Sequence, residues 1–297
     1  MSTVAVIVDC NACAWGKLSQ KFGGDSIQIL LQAIVSYCNA HLAMSASNRL
    51  VVFAYGRNVQ KKLLFSSTSS PSKDVSSTVI EELRRVLVAS ANDDDCHIGS
   101  LLAPALAQAI CYMKRRETGL KIAEEDATKD QVGLTAEGST SNLSEPSSRA
   151  VVIGMTSFFG GENSSLMNLF FSAAKQSTCV DVVSVGDDAT GGILQQAADI
   201  TGGLFLHAHK PSQLIGLLMT HVLAEPRLRK IFPQPSLVSV DYRASCACHN
   251  EMVSTGWVCS VCLSVLCQFS PICKVCSAVF KIQQLAKKPT KRKKPIA

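Results

Sequence analysis

The sequence predicts a doubly wound α/β domain with a mostly parallel sheet, followed by a small cysteine-rich zinc module. Two observations support this fold class. Apolar strand-like runs alternate with helical stretches over about three quarters of the chain, as expected when helices cover both faces of a parallel sheet. Seven of the thirteen cysteines then fall between Cys246 and Cys276. With 297 residues, 47% of them hydrophobic, the chain can bury a sizeable core in one or two domains.

The first elements follow from their hydrophobic patterns. Residues 3–8 form a β-branched apolar run, which predicts a central strand buried on both faces. Asp25 and Ser26 offer a helix cap, and apolar residues follow at helical spacing to Cys38. Residues 50–55 predict a second strand, paired with residues 59–65 across a turn that contains Gly56. Two helical stretches are expected around 75–89 and 101–116.

The alternation resumes after a polar interruption, 117–149, which is expected to be a disordered surface insertion. Strands are predicted at 150–155, 180–185 and 204–207, with helices at 164–176 and 192–200. Pro211 opens a last helix that reaches Val222. The α/β domain is therefore assigned to 1–226 and a linker to 227–239, with no internal repeat evident in the chain.

The cysteine block, within a module at 240–282, has the spacing of metal ligands. Two Cys-x-x-Cys pairs supply four thiolates for one tetrahedral zinc ion: Cys259, Cys262, Cys273 and Cys276. Four further groups suffice on paper for a second ion: Cys246, Cys248, His249 and Cys267. Packed, unligated thiols are the alternative for this second set. At least one structural Zn²⁺ is therefore expected.

Disulfides are the competing explanation of so many cysteines, and they require an oxidising compartment. The N-terminus has no basic leader, its apolar run stops at Asp9, and no stretch approaches the ~20 apolar residues that span a bilayer. We therefore expect no membrane association and favour zinc. The six scattered cysteines are expected to be small buried hydrophobic residues: Cys10, Cys13, Cys38, Cys96, Cys111 and Cys179.

Charge is concentrated at the C-terminus. The formal net charge is +6, but residues 281–297 carry seven positive charges and no acid, which leaves 22 basic and 23 acidic residues elsewhere. A nearly neutral body favours protein partners over nucleic acid, although direct nucleic-acid contact stays open. The basic tail, 283–297, cannot bury a core and is expected to be disordered. Its lysine-rich cluster is typical of nuclear import, so the predicted location is the nucleus.

The loop after the first strand lies where doubly wound folds bind ligands, yet no glycine-rich phosphate cradle follows Asp9. This region resembles the von Willebrand A domain, in which an Asp-x-Ser-x-Ser motif binds a divalent ion. Asp9 matches the Asp, but Asn11 and Cys13 stand at the two Ser positions, and residues 151–156 contain no acid. Because Mg²⁺ requires hard oxygen ligands, we expect no functional divalent ion at Asp9.

A closer resemblance adds the strand at 182–187, the turn Thr201-Gly202-Gly203 and the cysteine block. Together these are similar to the family of smaller von Willebrand A-type subunits of general transcription factor IIH, over residues 1–282. The resemblance implies a von Willebrand A-like α/β domain and a non-catalytic core subunit. It implies partnership with the larger von Willebrand A-type and zinc-module subunit and with other core and helicase subunits. The implied work is RNA polymerase II transcription initiation and nucleotide excision repair.

Two other functional classes fit parts of the chain. A RING-type ubiquitin ligase or adaptor needs two interleaved zinc ions, hence all eight candidate ligands. An α/β hydrolase would need a nucleophile, but no Gly-x-Ser-x-Gly motif occurs, and His207 and His209 have no evident nucleophile beside them. We therefore expect no catalytic residues.

Overall fold

The computed structural model describes residues 2–57, 59, 62–68, 74–91, 101–115, 147–156, 162–186, 192–226, 228–231, 240–249 and 252–280. The predicted basic tail and most of the predicted insertion lie outside these residues. The chain divides into two compact units, Met1–Tyr242 and Arg243–Ala297.

The first unit is built on a six-stranded sheet whose order is β3-β2-β1-β4-β5-β6. The strands are β1 (Ser2–Asp9), β2 (Arg49–Tyr55), β3 (Leu63–Ser66), β4 (Ser147–Gly154), β5 (Cys179–Val185) and β6 (Phe205–Ala208). All neighbouring pairs are parallel except β2 with β3, which is antiparallel. The predicted doubly wound, mostly parallel sheet is thus confirmed. Its order reverses between β1 and β4, the position at which such sheets form a crevice.

Helices cover both faces of this sheet. They are α1 (Ala12–Phe22), α2 (Ser26–Met44), α3 (Val75–Ala91), α4 (residues 103–115), α5 (Asn163–Lys175), α6 (Ile193–Thr201) and α7 (Gln213–Leu217), which continues into a π-helical turn (Leu218–Val222). Successive β1 residues face opposite layers, because side chains alternate along a strand. Val4, Val6 and Val8 join the core beneath α2 and α7, whereas Ala5 and Ile7 join the core beneath α4 and α5.

Helix α1 was not expected, because the sequence predicts a loop after Asp9. The side chain of Asn11 accepts hydrogen bonds from the backbone N–H groups of Cys13 and Ala14, which caps the helix. Trp15 is buried and donates from Nε1 to the carbonyl of Asp9 over 2.7 Å. Residues 12–22 are therefore helical because Asn11 caps the helix and the buried ring of Trp15 holds its first turn against the core.

The predicted boundary between insertion and strand is three residues too late. Strand β4 begins at Ser147, and Arg149 pairs in register with Val4 of β1. The Arg149 guanidinium is buried and donates to the carbonyls of Val222, Leu223 and Ala224, at the end of the last helix. An arginine inside a strand looks like a surface residue in the sequence, and only these carbonyl partners explain its burial.

The α/β unit also extends beyond residue 226, through the predicted linker at 227–239, to Tyr242. Arg229, in the 3₁₀ turn Leu228–Lys230, is buried and forms an ion pair with Asp181 of β5. Gln196 donates to the carbonyl of Asp241, and Tyr242 donates its hydroxyl to Asp199. These contacts with β5 and α6 explain why the compact unit ends at Tyr242 rather than at 226.

Helix α2 is long and apolar enough to cross a membrane by length and composition, contrary to the expectation that no such stretch exists. Its residues Leu30, Ile34 and Tyr37 are fully buried in the core of the α/β unit. It is therefore the core helix of this unit, and burial inside the protein accounts for its apolar composition.

Candidate metal centres

The second unit has almost no hydrophobic core. Its short strands are β7 (Ala244–Ser245), β8 (Met252–Val253), β9 (Trp257–Val258) and β10 (Val265–Leu266), paired as β7 with β8 and β9 with β10. Among its described residues, the buried hydrophobic side chains are Leu266 and three cysteines, Cys246, Cys259 and Cys273. So small a core does not stabilise a fold by itself, and cross-links through metal would supply what it lacks.

The two Cys-x-x-Cys pairs converge on one point. The four sulfur atoms of Cys259, Cys262, Cys273 and Cys276, here called the four-cysteine cluster, all lie within 4.8 Å of one another. The Sγ atoms of Cys259 and Cys276 are 3.7 Å apart, as are those of Cys262 and Cys273. Tetrahedral zinc with Zn–S bonds of ~2.3 Å separates its sulfurs by about 3.8 Å. The donor set and its spacing therefore fit a structural zinc ion.

Each Cys-x-x-Cys pair lies in a turn, and the two turns have the same backbone hydrogen bonds. Cys259 N–H donates to the carbonyl of Ser264, and Cys273 N–H donates to that of Ala278, five residues on in each case. The N–H groups of Leu263 and Ser277 return to the carbonyls of Cys259 and Cys273. Leu263 and Ser277 both have positive φ, 60° and 59°. Each turn thus holds two sulfurs on one side of a knuckle.

This duplication corrects the expectation that the chain has no internal repeat. Residues 258–265 read VCSVCLSV and residues 272–279 read ICKVCSAV, with the same types at most positions. The flanking residues pair equivalently: Val258 lies opposite Val265, and Ile272 lies opposite Val279. The repeat is only eight residues long, much shorter than a repeated domain.

The electrostatics of the four-cysteine cluster favour thiolates at some positions and not at others. Hydrogen bonds from the N–H groups of Cys276 and Val275 lower the pKa of Cys273 to about 6. The pKa of Cys276 is raised to about 12: the N–H of Ala278 lowers it, but desolvation and the three neighbouring thiols outweigh this. Four close thiolates therefore repel one another, and a divalent cation would remove that repulsion.

The second candidate set also converges. The ligand atoms of Cys246, Cys248, His249 and Cys267, here called the histidine cluster, lie within 4.8 Å of one another. Cys267 follows β10 directly, whereas the other three occupy the turn after β7. The structure thus brings together all eight ligands that the sequence proposed, in two groups of four.

The carboxylate of Asp9 lies at the end of β1, beside the end of β4. Its Oδ2 accepts hydrogen bonds from the N–H groups of Met155 and Thr156, at 3.2 and 3.1 Å, and from the Thr156 hydroxyl at 2.7 Å. Its Oδ1 accepts from the N–H of Asn11 at 3.1 Å. Protein donors therefore occupy the oxygens that a divalent ion would need.

The remaining candidates are ordinary structural residues in their surroundings. The rings of His207 and His209 meet edge to face, 4.4 Å apart, and burial, followed by the charge of His209, lowers the pKa of His207. Cys10, Cys38 and Cys179 are buried as expected of small hydrophobic residues. Cys111 is exposed and Cys13 is disulfide-bonded, so the expectation fails for these two. Cys96 lies outside the described residues.

The second unit exposes an apolar surface that the sequence only partly indicated. Val261 and Leu263 are 68% and 72% exposed, and Trp257 and Val258 are exposed beside them. Trp257 is in edge contact with Phe269, with ring centroids 5.2 Å apart. Large exposed apolar residues in so small a unit are typical of a protein interface.

Comparisons with known proteins agree over nearly the whole chain. The family model described as transcription factor Tfb4 matches residues 1–277. General transcription and DNA repair factor IIH subunit tfb4 of Schizosaccharomyces pombe is 26% identical over 304 residues, covering 97% of this chain and 91% of that protein. Subunit TFB4 of Saccharomyces cerevisiae is 28% identical over 319 residues, covering 96% and 88%. The solved N-terminal domain of TFIIH p34 shares the fold, with a TM-score of 0.54 at 21% identity, covering 73% of this chain and 96% of that chain.

Proposed function

Because the chain belongs to the transcription factor Tfb4 family, we propose that it is a structural, non-catalytic subunit of the general transcription and DNA repair factor IIH core. The observation that carries this proposal is the match of the family over residues 1–277, which includes both the α/β unit and all eight candidate metal ligands. Its work is then to hold other subunits in place during RNA polymerase II transcription initiation and nucleotide excision repair, in the nucleus.

The contacts of Asp9, at the crevice between β1 and β4, support the proposal of a scaffold role. Doubly wound folds bind ligands at the carboxyl ends of strands where the strand order reverses, here between β1 and β4. At that point Asp9 is engaged by Thr156 and by backbone N–H groups from both strands' ends. A carboxylate used in this way stabilises the junction of two loops, and its protein donors compete with a ligand ion for the same oxygens.

The four-cysteine cluster is proposed to hold one structural zinc ion. Four thiolates at tetrahedral spacing are the donor set of structural zinc sites, and no position is left open for a substrate. The ion would cross-link the two knuckles, one around Cys259 and Cys262 and the other around Cys273 and Cys276.

The partners are proposed to be the larger von Willebrand A-type, zinc-module subunit of factor IIH, with the other core and helicase subunits. A near-neutral body supports a protein partner, and the exposed apolar residues around Val258 and Val261 supply a surface for one. The ubiquitin-ligase alternative needs two interleaved metal sets, and Cys267 does fall between Cys262 and Cys273. The Schizosaccharomyces pombe and Saccharomyces cerevisiae relatives carry factor IIH names, so the scaffold role is preferred.

Tagged purification from nuclear extract tests the assignment. We expect the wild-type chain to recover stoichiometric factor IIH subunits, and a Val261→Lys variant to recover less of them. Ser260→Lys is the matched control, because Ser260 is exposed in the same turn and the added charge is the same. A chain that stays monomeric in the extract, or depletion that leaves transcription and repair intact, would refute the proposal.

A further inference from the structure

The histidine cluster is the feature of the second unit that the proposed function does not use. The Sγ atoms of Cys248 and Cys267 are 3.2 Å apart, too far for a disulfide bond of ~2.05 Å. The Nδ1 atom of His249 lies 3.3 Å from the Sγ of Cys267 and 3.9 Å from that of Cys246. Tetrahedral zinc with Zn–S bonds of ~2.3 Å and Zn–N bonds of ~2.05 Å separates S from N by about 3.6 Å. The observed distances bracket this value.

Packing does not explain this arrangement. Of the four residues, only Cys246 is buried, and the ring of His249 is exposed. Unligated thiols that act as small hydrophobic residues belong in an apolar interior, as Cys38 does in the first unit. A partly exposed group of three sulfurs around one imidazole nitrogen is not the environment in which thiols serve as small hydrophobic residues.

The backbone holds the ligand segments in place. The hairpin of β7 and β8 presents the turn that carries Cys246, Cys248 and His249. The N–H of Ala247, within that turn, donates to the carbonyl of Val265 at 2.7 Å. Because β10 contains Val265 and ends just before Cys267, this bond places the turn beside the fourth ligand. Strand β10 also follows the Cys259–Cys262 knuckle, so it connects both clusters.

We propose that the histidine cluster is a second metal site, in which three thiolates and the Nδ1 atom of His249 hold a zinc ion. Three soft sulfur ligands with one imidazole select zinc among the common cellular ions, and four protein ligands leave no open position. The second unit is then a binuclear module in which β10 is shared by both sites. This inference depends only on the ligand geometry, so it stands or falls separately from the factor IIH assignment.

Counting zinc ions in the natively purified full chain by native mass spectrometry tests the inference. We expect two ions per chain in the wild type and one in Cys248→Ser. Cys111→Ser, which removes an exposed thiol of α4, is the matched control and keeps two. A wild type with one ion, unchanged by Cys248→Ser, would overturn the proposal.

A second variant covers the case in which Cys248→Ser does not fold. His249→Cys converts the site to four sulfurs and is expected to keep two metal ions. After replacement of zinc by Co²⁺, its d–d absorption should move toward that of a four-thiolate site, because thiolate and imidazole differ in ligand strength. A Co²⁺ spectrum identical to that of the wild type would show that His249 is not a ligand.

Discussion

The guanidinium of Arg229 binds the carboxylate of Asp181 through two hydrogen bonds inside the α/β unit, Nη1–Oδ1 at 2.6 Å and Nη2–Oδ2 at 2.5 Å. Both side chains are nearly fully buried. Arg229 Nε also donates to the carbonyl of Ala224, and Arg149 Nη1 donates to the same carbonyl. Two buried arginines therefore hold the end of the last helix against strands β4 and β5.

Removing one partner of this pair should be costly. Asp181→Ala leaves the Arg229 cation buried and uncompensated, for which we expect a loss of about 3–5 kcal/mol in the free energy of unfolding. Glu82→Ala is the control: it breaks the Glu82–Arg85 pair, whose arginine is 63% exposed, and should cost at most about 0.5 kcal/mol. Urea unfolding, followed by Trp15 fluorescence in a Trp257→Phe background, measures both. Equal losses in the two variants would contradict the structural role of Arg229 and Asp181.

Loss of zinc should unfold the second unit alone. Cys262→Ser removes one ligand of the four-cysteine cluster, and Leu266 and the remaining cysteines are too small a core to compensate. We expect the fluorescence of Trp257 and its contact with Phe269 to change, while Trp15 in the α/β unit keeps its native signal. Single-tryptophan variants separate the two probes, and Cys111→Ser should behave as the wild type. Zinc-free protein with native Trp257 fluorescence would refute the coupling of metal and fold.

Asp9 should bind no divalent ion. Calorimetric titration with Mg²⁺ or Mn²⁺ is expected to show no saturable heat of binding. The reason is that Thr156 and backbone N–H groups already donate hydrogen bonds to the carboxylate. Asp9→Ala should instead destabilise the α/β unit by about 2–4 kcal/mol, since it strands buried N–H donors without an acceptor. A saturable micromolar signal that disappears in Asp9→Ala would prove the prediction wrong.

Acid should destabilise the α/β unit through His41. Burial, followed by the charge of Arg149, lowers the pKa of His41 to about 4, so the fold favours the neutral imidazole, whose Nε2–H donates to the carbonyl of Arg49. Because the unfolded pKa is ~6.5, this contribution is complete above pH 6.5 and is lost as the pH falls toward 4. We expect about 2 kcal/mol of lost stability between pH 7 and 4.5 that is specific to His41.

Urea unfolding at both pH values, again followed by Trp15, checks this expectation. His41→Gln should show a smaller pH dependence than the wild type, because glutamine does not titrate. His221→Gln, the same substitution at a half-buried histidine of the last helix, serves as the control. If His41→Gln and the wild type lose equal stability on acidification, His41 is not the responsible group.

The fold class and the convergence of the candidate metal ligands could be predicted, because the signals for both lie in short stretches of sequence. A β-branched run such as residues 3–8 buries both faces wherever it lies, and a Cys-x-x-Cys pair forms a knuckle from its own backbone. Helix α1 escaped prediction because its signal was one capping residue, Asn11, and one aromatic anchor, Trp15, rather than a long apolar stripe. The eight-residue knuckle repeat, by contrast, is a local pattern that the sequence itself contains at 258–265 and 272–279.

Only the tertiary structure decided which hydrogen-bond partners the buried polar side chains have. Asp9 and Thr156 are 147 residues apart in sequence, and Arg149 and Val222 are 73 residues apart, yet each pair is in hydrogen-bond contact. The sequence shows which polar side chains need a hydrogen-bond partner when they are buried. Which residue becomes that partner depends on which strands are neighbours in the sheet. Asp9 became a structural carboxylate because β4 paired with β1, and His249 joined Cys267 because β10 placed them together. Chain topology, which brings distant segments within ~3 Å, makes these choices.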